Sequence, residues 1–231
     1  MKIKGFIKNT FIEYPGKIAA MIFLPNCNFK CSFCFNPDLI FNSEKLKDID
    51  ENEIFDYLIK NKKWIDGVVI SGGEPTLYND LIDFVKRIKE LGFLVRIYTN
   101  GTNPEMIKKL IDNKLIDSIA MDIKAPLNEK KYEKVTNVKN FLNEVKKSIS
   151  IIMNSGIDYE FRTTVVPTLH SESDIEEIAK YIKGANLLVL QKFLPENALN
   201  ENLRKQKTQN DDEMKKLAEI AKVYVKNVIW R

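Results

Sequence analysis

From the first residue onward, apolar positions fall into two alternating rhythms. Residues 3–9 and 18–24 read as strand-like runs separated by the turn-forming pair Pro15-Gly16. The second run, Ile18-Ala19-Ala20-Met21-Ile22-Phe23-Leu24, contains no polar residue, as expected of a strand buried on both faces of a parallel sheet. Beyond it, helix-period and strand-like stretches alternate. Residues 51–62 place Ile54, Tyr57 and Leu58 on one helical face, and Gly67-Val68-Val69-Ile70-Ser71 reads as a short buried strand. Leu81, Ile82, Phe84, Val85, Ile88 and Leu91 predict an amphipathic helix over 79–91, with Gly92 as its C-cap. A strand from Phe93 to Tyr98, a helix from Pro104 to Asn113, a strand from Ile116 to Ile123 and a helix over 139–154 follow. The rhythm continues with strand 158–166, helix 172–183, strand 187–193, helix 210–224 and a terminal strand candidate, 225–230. The polar stretch 195–211 reads as an exposed loop or irregular helix.

Each crossover is long enough for a βαβ unit, so the fold class is α/β with a mostly parallel sheet. Six core strands are too few for an eight-fold barrel, which takes about 250 residues. Periodicity alone does not separate a partial barrel from a doubly wound sheet. The chain carries no internal repeat, low-complexity tract or clear linker, which predicts one domain over 1–231.

Composition changes this picture little. Hydrophobic residues make up 44% and charged residues 29%, ordinary for a globular protein. A net charge of +4 argues against a dedicated nucleic-acid binder. No stretch approaches the roughly 18 uncharged apolar residues of a membrane span, and Met1-Lys2-Ile3-Lys4-Gly5 lacks the apolar core of a signal peptide.

The cysteines change it considerably. All three lie between Cys27 and Cys34, spaced C-x3-C-x2-C. A disulfide would leave one thiol over, and loops this short suit a structural bridge poorly. A Cys3His zinc site would need His170, the sole histidine. Inert packing explains single cysteines better than three in one polar loop. Three thiolates this close also match three corners of an iron–sulfur cube, leaving one iron open, as at catalytic rather than structural metal sites. Reduced cysteines imply a reducing cytoplasm.

Further candidates sit at the C-terminal ends of predicted strands, where α/β folds collect function. In Ser71-Gly72-Gly73-Glu74-Pro75 two glycines permit close backbone approach to a ligand and free amides and carbonyls for it; a tight strand-to-helix turn explains them equally well. Thr99-Asn100-Gly101 is a generic turn signal. Asp122 and Lys124 alternate with apolar residues and so share one strand face, a surface ion pair being the plain alternative. Arg162, in a β-prone run, requires a carboxylate partner or points into a cavity. His170, after a proline and before a helix, reads as solvent-exposed or capping.

The cysteine spacing, with Phe33 just before the third cysteine, resembles the signature of the radical S-adenosylmethionine (SAM) enzymes, and Gly72-Gly73-Glu74 looks like their GGE motif. The resemblance implies a partial (β/α)6 TIM-like barrel with mostly parallel strands and a short N-terminal strand extension, all one radical SAM domain. It implies a [4Fe–4S] cluster on Cys27, Cys31 and Cys34. It also implies SAM contacts from Phe33, Cys34, Phe35, Gly72, Gly73, Glu74, Thr99, Asn100, Asp122, Ile123, Lys124, Arg162 and Gln191. In this picture Glu74 and the two glycines meet the amino group, Lys124 the carboxylate, Asp122 the ribose hydroxyls and Gln191 the adenine or ribose edge. No side chain need act as acid or base.

Pro15-Gly16-Lys17 before the first core strand, and Asn36-Pro37 after the third cysteine, are similar to the glycyl-radical enzyme activases. The activating proteins of anaerobic ribonucleoside-triphosphate reductases resemble the chain most. The implied reaction is reductive cleavage of SAM to a 5′-deoxyadenosyl radical that installs a glycyl radical on the reductase, with flavodoxin or ferredoxin as electron donor. Three cysteines leave no ligands for an auxiliary cluster. Pyruvate formate-lyase activases carry Asp where this chain has Tyr98, and a histidine where it has Gln191, so their monovalent-cation site and ribose contact are in question. A small-molecule enzyme such as 7-carboxy-7-deazaguanine synthase is the alternative within the superfamily.

Overall fold

The computed structural model describes residues 1–231. Eight strands lie in chain order in one sheet: β1 (Gly5–Thr10), β2 (Ala19–Leu24), β3 (Gly67–Gly72), β4 (Leu94–Thr99), β5 (Ser118–Asp122), β6 (Asp158–Val165), β7 (Leu188–Lys192) and β8 (Val228–Trp230). The order starts at β1 and ends at β8, so the sheet is not closed. The six core strands, the N-terminal extension and the terminal strand all form, in an α/β fold consistent with a partial barrel. No helix is long and apolar enough to cross a membrane.

The contacts gather into two compact units, each discontinuous in sequence. The first comprises Met1–Asn28, Asp38–Thr99 and Glu105–Ile119. Here β1 pairs antiparallel with β2, while β2, β3 and β4 run parallel, with Leu24 opposite Gly72 and Gly67 opposite Leu94. Ala19, Ala20, Ile22, Leu24, Val68, Val69 and Ile70 are fully buried, the both-faces burial that an uninterrupted apolar run requires. Helices α2 (Glu51–Lys60) and α3 (Leu81–Glu90) meet edge-on through Phe55 and Phe84. The helix α4 (Pro104–Asp112) completes this unit's crossovers.

The second unit comprises Phe29–Pro37, Asn100–Pro104 and Ala120–Arg231. β6, β7 and β8 are parallel neighbours, with Thr164 opposite Gln191. Helices α6 (Leu142–Met153), α7 (Glu172–Tyr181) and α9 (Asp211–Lys222) correspond to the predicted 139–154, 172–183 and 210–224. α6 starts late because Asn140 adopts a left-handed φ of 66°.

Two helices escape the periodic pattern: α1 (Pro37–Phe41) and α5 (Glu129–Thr136). α5 is short and largely polar, and its ends define it. Asn128 Oδ1 accepts from the Lys131 N–H at its start, and Asn137 closes it at φ 55°. The 195–211 stretch is irregular, as expected, with α8 (Glu201–Arg204) inside it. It is not simply exposed: Ala198, Leu203 and Gln209 are buried.

Candidate functional site

In the first unit, β2 ends at Leu24 and the chain turns through Asn26, which holds a left-handed φ of 61°. The Asn26 N–H donates to Leu39 C=O at 2.8 Å, and Tyr78 Oη donates to Pro25 C=O at 2.7 Å, so the approach to Cys27 is held from two sides. The Gly72-Gly73-Glu74 turn at the end of β3 lies directly against it. Gly73 N–H donates to Leu24 C=O and Glu74 N–H to Asn26 C=O, both at 2.8 Å.

That corrects the expectation that these amides are free for a ligand: two of them continue the β2–β3 ladder. It also explains the glycines. A Cβ on Gly73 would stand 1.7 Å from Asn26 O, and one on Gly72, at φ 125°, 2.1 Å from Leu24 O. The close approach they permit is to the segment entering Cys27.

Glu74 is fully buried. Its Oε1 accepts from the Thr76 N–H (3.0 Å), the Thr76 hydroxyl (2.5 Å) and, from the end of β4, the Thr99 hydroxyl (2.8 Å). A buried carboxylate so held is fixed in orientation. Tyr98, the departure from the pyruvate formate-lyase activase pattern, is buried and its hydroxyl donates to the Glu13 backbone and carboxylate at 2.7 and 2.6 Å.

In the second unit the cysteine loop is pinned along its length. Lys30 N–H donates to Thr136 C=O at the end of α5, and Asn137 Nδ2 donates to Lys30 C=O. Asn200, the N-cap of α8, donates its N–H to Ser32 C=O at 2.8 Å, and Cys34 N–H donates to Cys31 C=O. None of the three cysteines is in a disulfide, and Cys31 is buried. Burial pushes the Cys34 thiol up, against the Asn36 backbone and the Lys124 charge, which both favour the thiolate. Phe33 is buried, whereas Phe35 is exposed.

At the end of β5, Asp122 is the hub of a charged cluster. Its Oδ1 accepts from Arg162 Nε at 2.8 Å and its Oδ2 from Lys124 Nζ at 2.9 Å. Arg162 therefore has a carboxylate partner. The side chains are 6% (Arg162), 16% (Lys124) and 24% (Asp122) exposed, so this is no surface pair. Burial works against the Asp122 carboxylate, yet Arg162 and Lys124 outweigh it and hold its pKa at about 2. Burial likewise opposes the Lys124 charge, but Asp122, and Cys31 behind it, raise its pKa above the usual lysine range. The Lys124 ammonium, kept charged beside Asp122, is a group that can meet an anionic ligand. Lys124 Nζ lies 5.9 Å from the Phe33 ring centroid.

Ile123 faces the core and takes part through its backbone, donating to Arg162 C=O and accepting from the Thr163 hydroxyl. Asn100 is buried, and its Oδ1 caps the Thr102 N–H and hydroxyl. Gln191 is half-buried on β7.

His170 is buried at 6% exposure, not solvent-exposed, and the helix cap is Ser171. Its Nδ1 accepts from the Val166 N–H at 3.0 Å, which places the proton on Nε2, 2.8 Å from Lys124 C=O. With both ring nitrogens engaged by backbone it has none to offer zinc, so the Cys3His alternative loses its fourth ligand. Asn26, Thr76, α5 and the role of His170 escaped the sequence. The Pro25-Asn26 turn pair and the Asn128/Asn137 caps were the available signals.

The profile of the radical SAM superfamily matches residues 21–182. A Methanocaldococcus jannaschii protein named "putative glycyl-radical enzyme activating enzyme" is 40% identical, the alignment spanning 99% of this chain and 95% of that one. The pyruvate formate-lyase-activating enzyme of Clostridium pasteurianum is 30% identical over 83% of this chain and 80% of its own length. Among solved structures, Streptococcus suis SuiB bound to precursor peptide SuiA superposes with a TM-score of 0.68 at 19% identity. It covers 87% of this chain and 44% of SuiB, a likeness of fold. A family match that takes in the cysteine loop, the Gly-Gly-Glu turn and the Asp122 cluster, with relatives aligned along nearly the whole sequence, places this chain in the radical SAM superfamily, whose enzymes use a [4Fe–4S] cluster and S-adenosyl-L-methionine, and within it among the glycyl-radical enzyme activating enzymes.

Proposed function

We propose that this chain activates an anaerobic ribonucleoside-triphosphate reductase by generating a glycyl radical on it, acting as one catalytic domain in a reducing cytoplasm. The observation that carries the reading is the charged cluster beside the cysteine loop: a lysine and an arginine both fixed on Asp122, in the unit that supplies Cys31 and Cys34. The residues fit the cofactors. Three thiols outside any disulfide are the donor type that iron–sulfur cubes take, and a largely buried ammonium such as that of Lys124 is what a carboxylate ligand needs.

Cys27, Cys31 and Cys34 would hold the cluster and leave one iron without a protein ligand. Lys124 would meet the SAM carboxylate, and Glu74, oriented by Thr76 and Thr99, the amino group. Asp122 would keep Lys124 and Arg162 in place while its remaining lone pairs accept from the ribose. Gly72 and Gly73 let the turn that carries Glu74 sit against the segment that carries Cys27. Phe33, Phe35, Asn100, Ile123 and Gln191 would line the nucleoside and methionine. When bound, the cluster would supply the one electron needed for reductive cleavage of SAM, the chemistry that would place a radical on a glycine Cα of the partner. The chain's own work is orientation and exclusion of water.

The pyruvate formate-lyase activase name of the Clostridium relative supports a glycyl-radical enzyme as partner, and Tyr98 and Gln191 separate this chain from that pattern. The test is anaerobic reconstitution with iron and sulfide, then assay of 5′-deoxyadenosine and of a glycyl-radical electron paramagnetic resonance signal on the cognate reductase. Cofactor cleavage with a radical on the reductase is expected. Cleavage without that radical would move the partner elsewhere, and no iron uptake would refute the reading.

A further inference from the structure

β5 stops at Asp122, so the residues after it leave the sheet and must find hydrogen-bond partners elsewhere. Ile123 finds them on β6 through Arg162 C=O and Thr163 Oγ1. Lys124 has only side chains. Its N–H faces the Tyr132 hydroxyl at 3.5 Å, a long contact, and its C=O accepts from His170 Nε2 at 2.8 Å. The histidine bond is the good one.

His170 is in turn fixed by its own loop. Its N–H donates to Val166 C=O at 2.9 Å while its Nδ1 accepts from Val166 N–H, a reciprocal pair that sets both ring orientation and tautomer. The ring also stands edge-on to Phe33 in the cysteine loop, with centroids 6.4 Å apart. One buried ring thus touches the loop after β6, the residue that carries the Lys124 ammonium, and the aromatic beside Cys34.

We propose that His170 is a positioning residue for the cofactor: it holds the Lys124 backbone, and through it the ammonium, where the SAM carboxylate binds. This rests on the reading of Lys124 given above. His170 needs no contact with SAM and no change of protonation for this role. It supplies the hydrogen bond that the end of the strand cannot.

Substitutions separate positioning from mere folding. Asn at 170 keeps an acceptor for the Val166 N–H, and so the local turn, but is too short to reach Lys124. Gln at 170 keeps a donor of nearly the right reach. The full chain is reconstituted anaerobically, its iron content and thermal midpoint are measured, and SAM dissociation constants are taken by equilibrium binding without turnover.

His170→Asn is expected to load iron as the wild type does and to bind SAM about fivefold more weakly, the scale of one net hydrogen bond. His170→Gln should restore most of the affinity. In a Lys124→Ala background, His170→Asn should make no further difference, because the two act in series. Unchanged SAM affinity in His170→Asn, an additive loss on top of Lys124→Ala, or iron lost together with SAM would each overturn the positioning role while leaving the functional reading intact. A wild-type chain that takes up iron but binds no SAM would overturn both.

Discussion

Asp122→Asn tests the charged cluster most directly. The carboxylate pKa falls from an ordinary 3.8 to about 2 in the folded chain because Arg162 and Lys124 flank it. At about 1.4 kcal/mol per pKa unit this is roughly 2.5 kcal/mol of stability, and partial exposure of the side chain trims it to about 2 kcal/mol. Asparagine keeps an acceptor for Arg162 Nε but turns an amide donor toward Lys124 Nζ, removing the anion that the two groups share. The sign follows from the depressed value: the contribution is full above the unfolded pKa near 4 and is lost as pH falls through about 2. Urea unfolding followed by circular dichroism should therefore show the variant about 2 kcal/mol less stable at pH 7, with the gap roughly halved at pH 3. An equal gap at both pH values, or none at pH 7, would refute the reasoning.

Lys124→Ala should weaken SAM binding while leaving the absorption of the reconstituted cluster intact; unchanged affinity would reduce Lys124 to a structural charge. Gly73→Ala must displace backbone, since its Cβ would fall 1.7 Å from Asn26 O; iron content should drop with the approach to Cys27, and full iron loading would show that the close contact is dispensable. Tyr98→Phe removes the bonds to Glu13 at a cost of about 1–2 kcal/mol, seen as a thermal midpoint lower by a few degrees with iron content unchanged. Cys31→Ala should lose iron and cofactor cleavage together, and cleavage retained by a cluster-free variant would sink the assignment.

The strands were legible because uninterrupted apolar runs such as Ile18–Leu24 have one comfortable place, inside a parallel sheet. α5 was not, because Glu129–Thr136 is short and mostly polar, with only Tyr132 and Val135 as its apolar face, and its bounds are set by the Asn128 and Asn137 caps. That omission mattered: α5, together with the irregular segment around Asn200, holds the cysteine loop by Lys30, Asn137 and Ser32. The glycine pair was recognised but its purpose was not, since no sequence pattern says that Gly73 packs against Asn26 rather than against a ligand. Arg162 was left between two roles until its Nε was seen on Asp122, and His170 was misplaced at the surface because a residue between a proline and a helix start is usually exposed.

What the linear order of residues settles here is local: which runs become strands, how the three cysteines are spaced along one segment, and which charges share a strand face. These follow from spacing of two, three or four residues along one segment. What it leaves open is which distant groups meet. The Asp122–Arg162 pair spans 40 positions, Lys124 and His170 46, and Lys30 and Asn137 107. Such partners are chosen by the packing of separate strands and loops, where each buried donor or charge must find its complement, and that choice exists only in the folded chain.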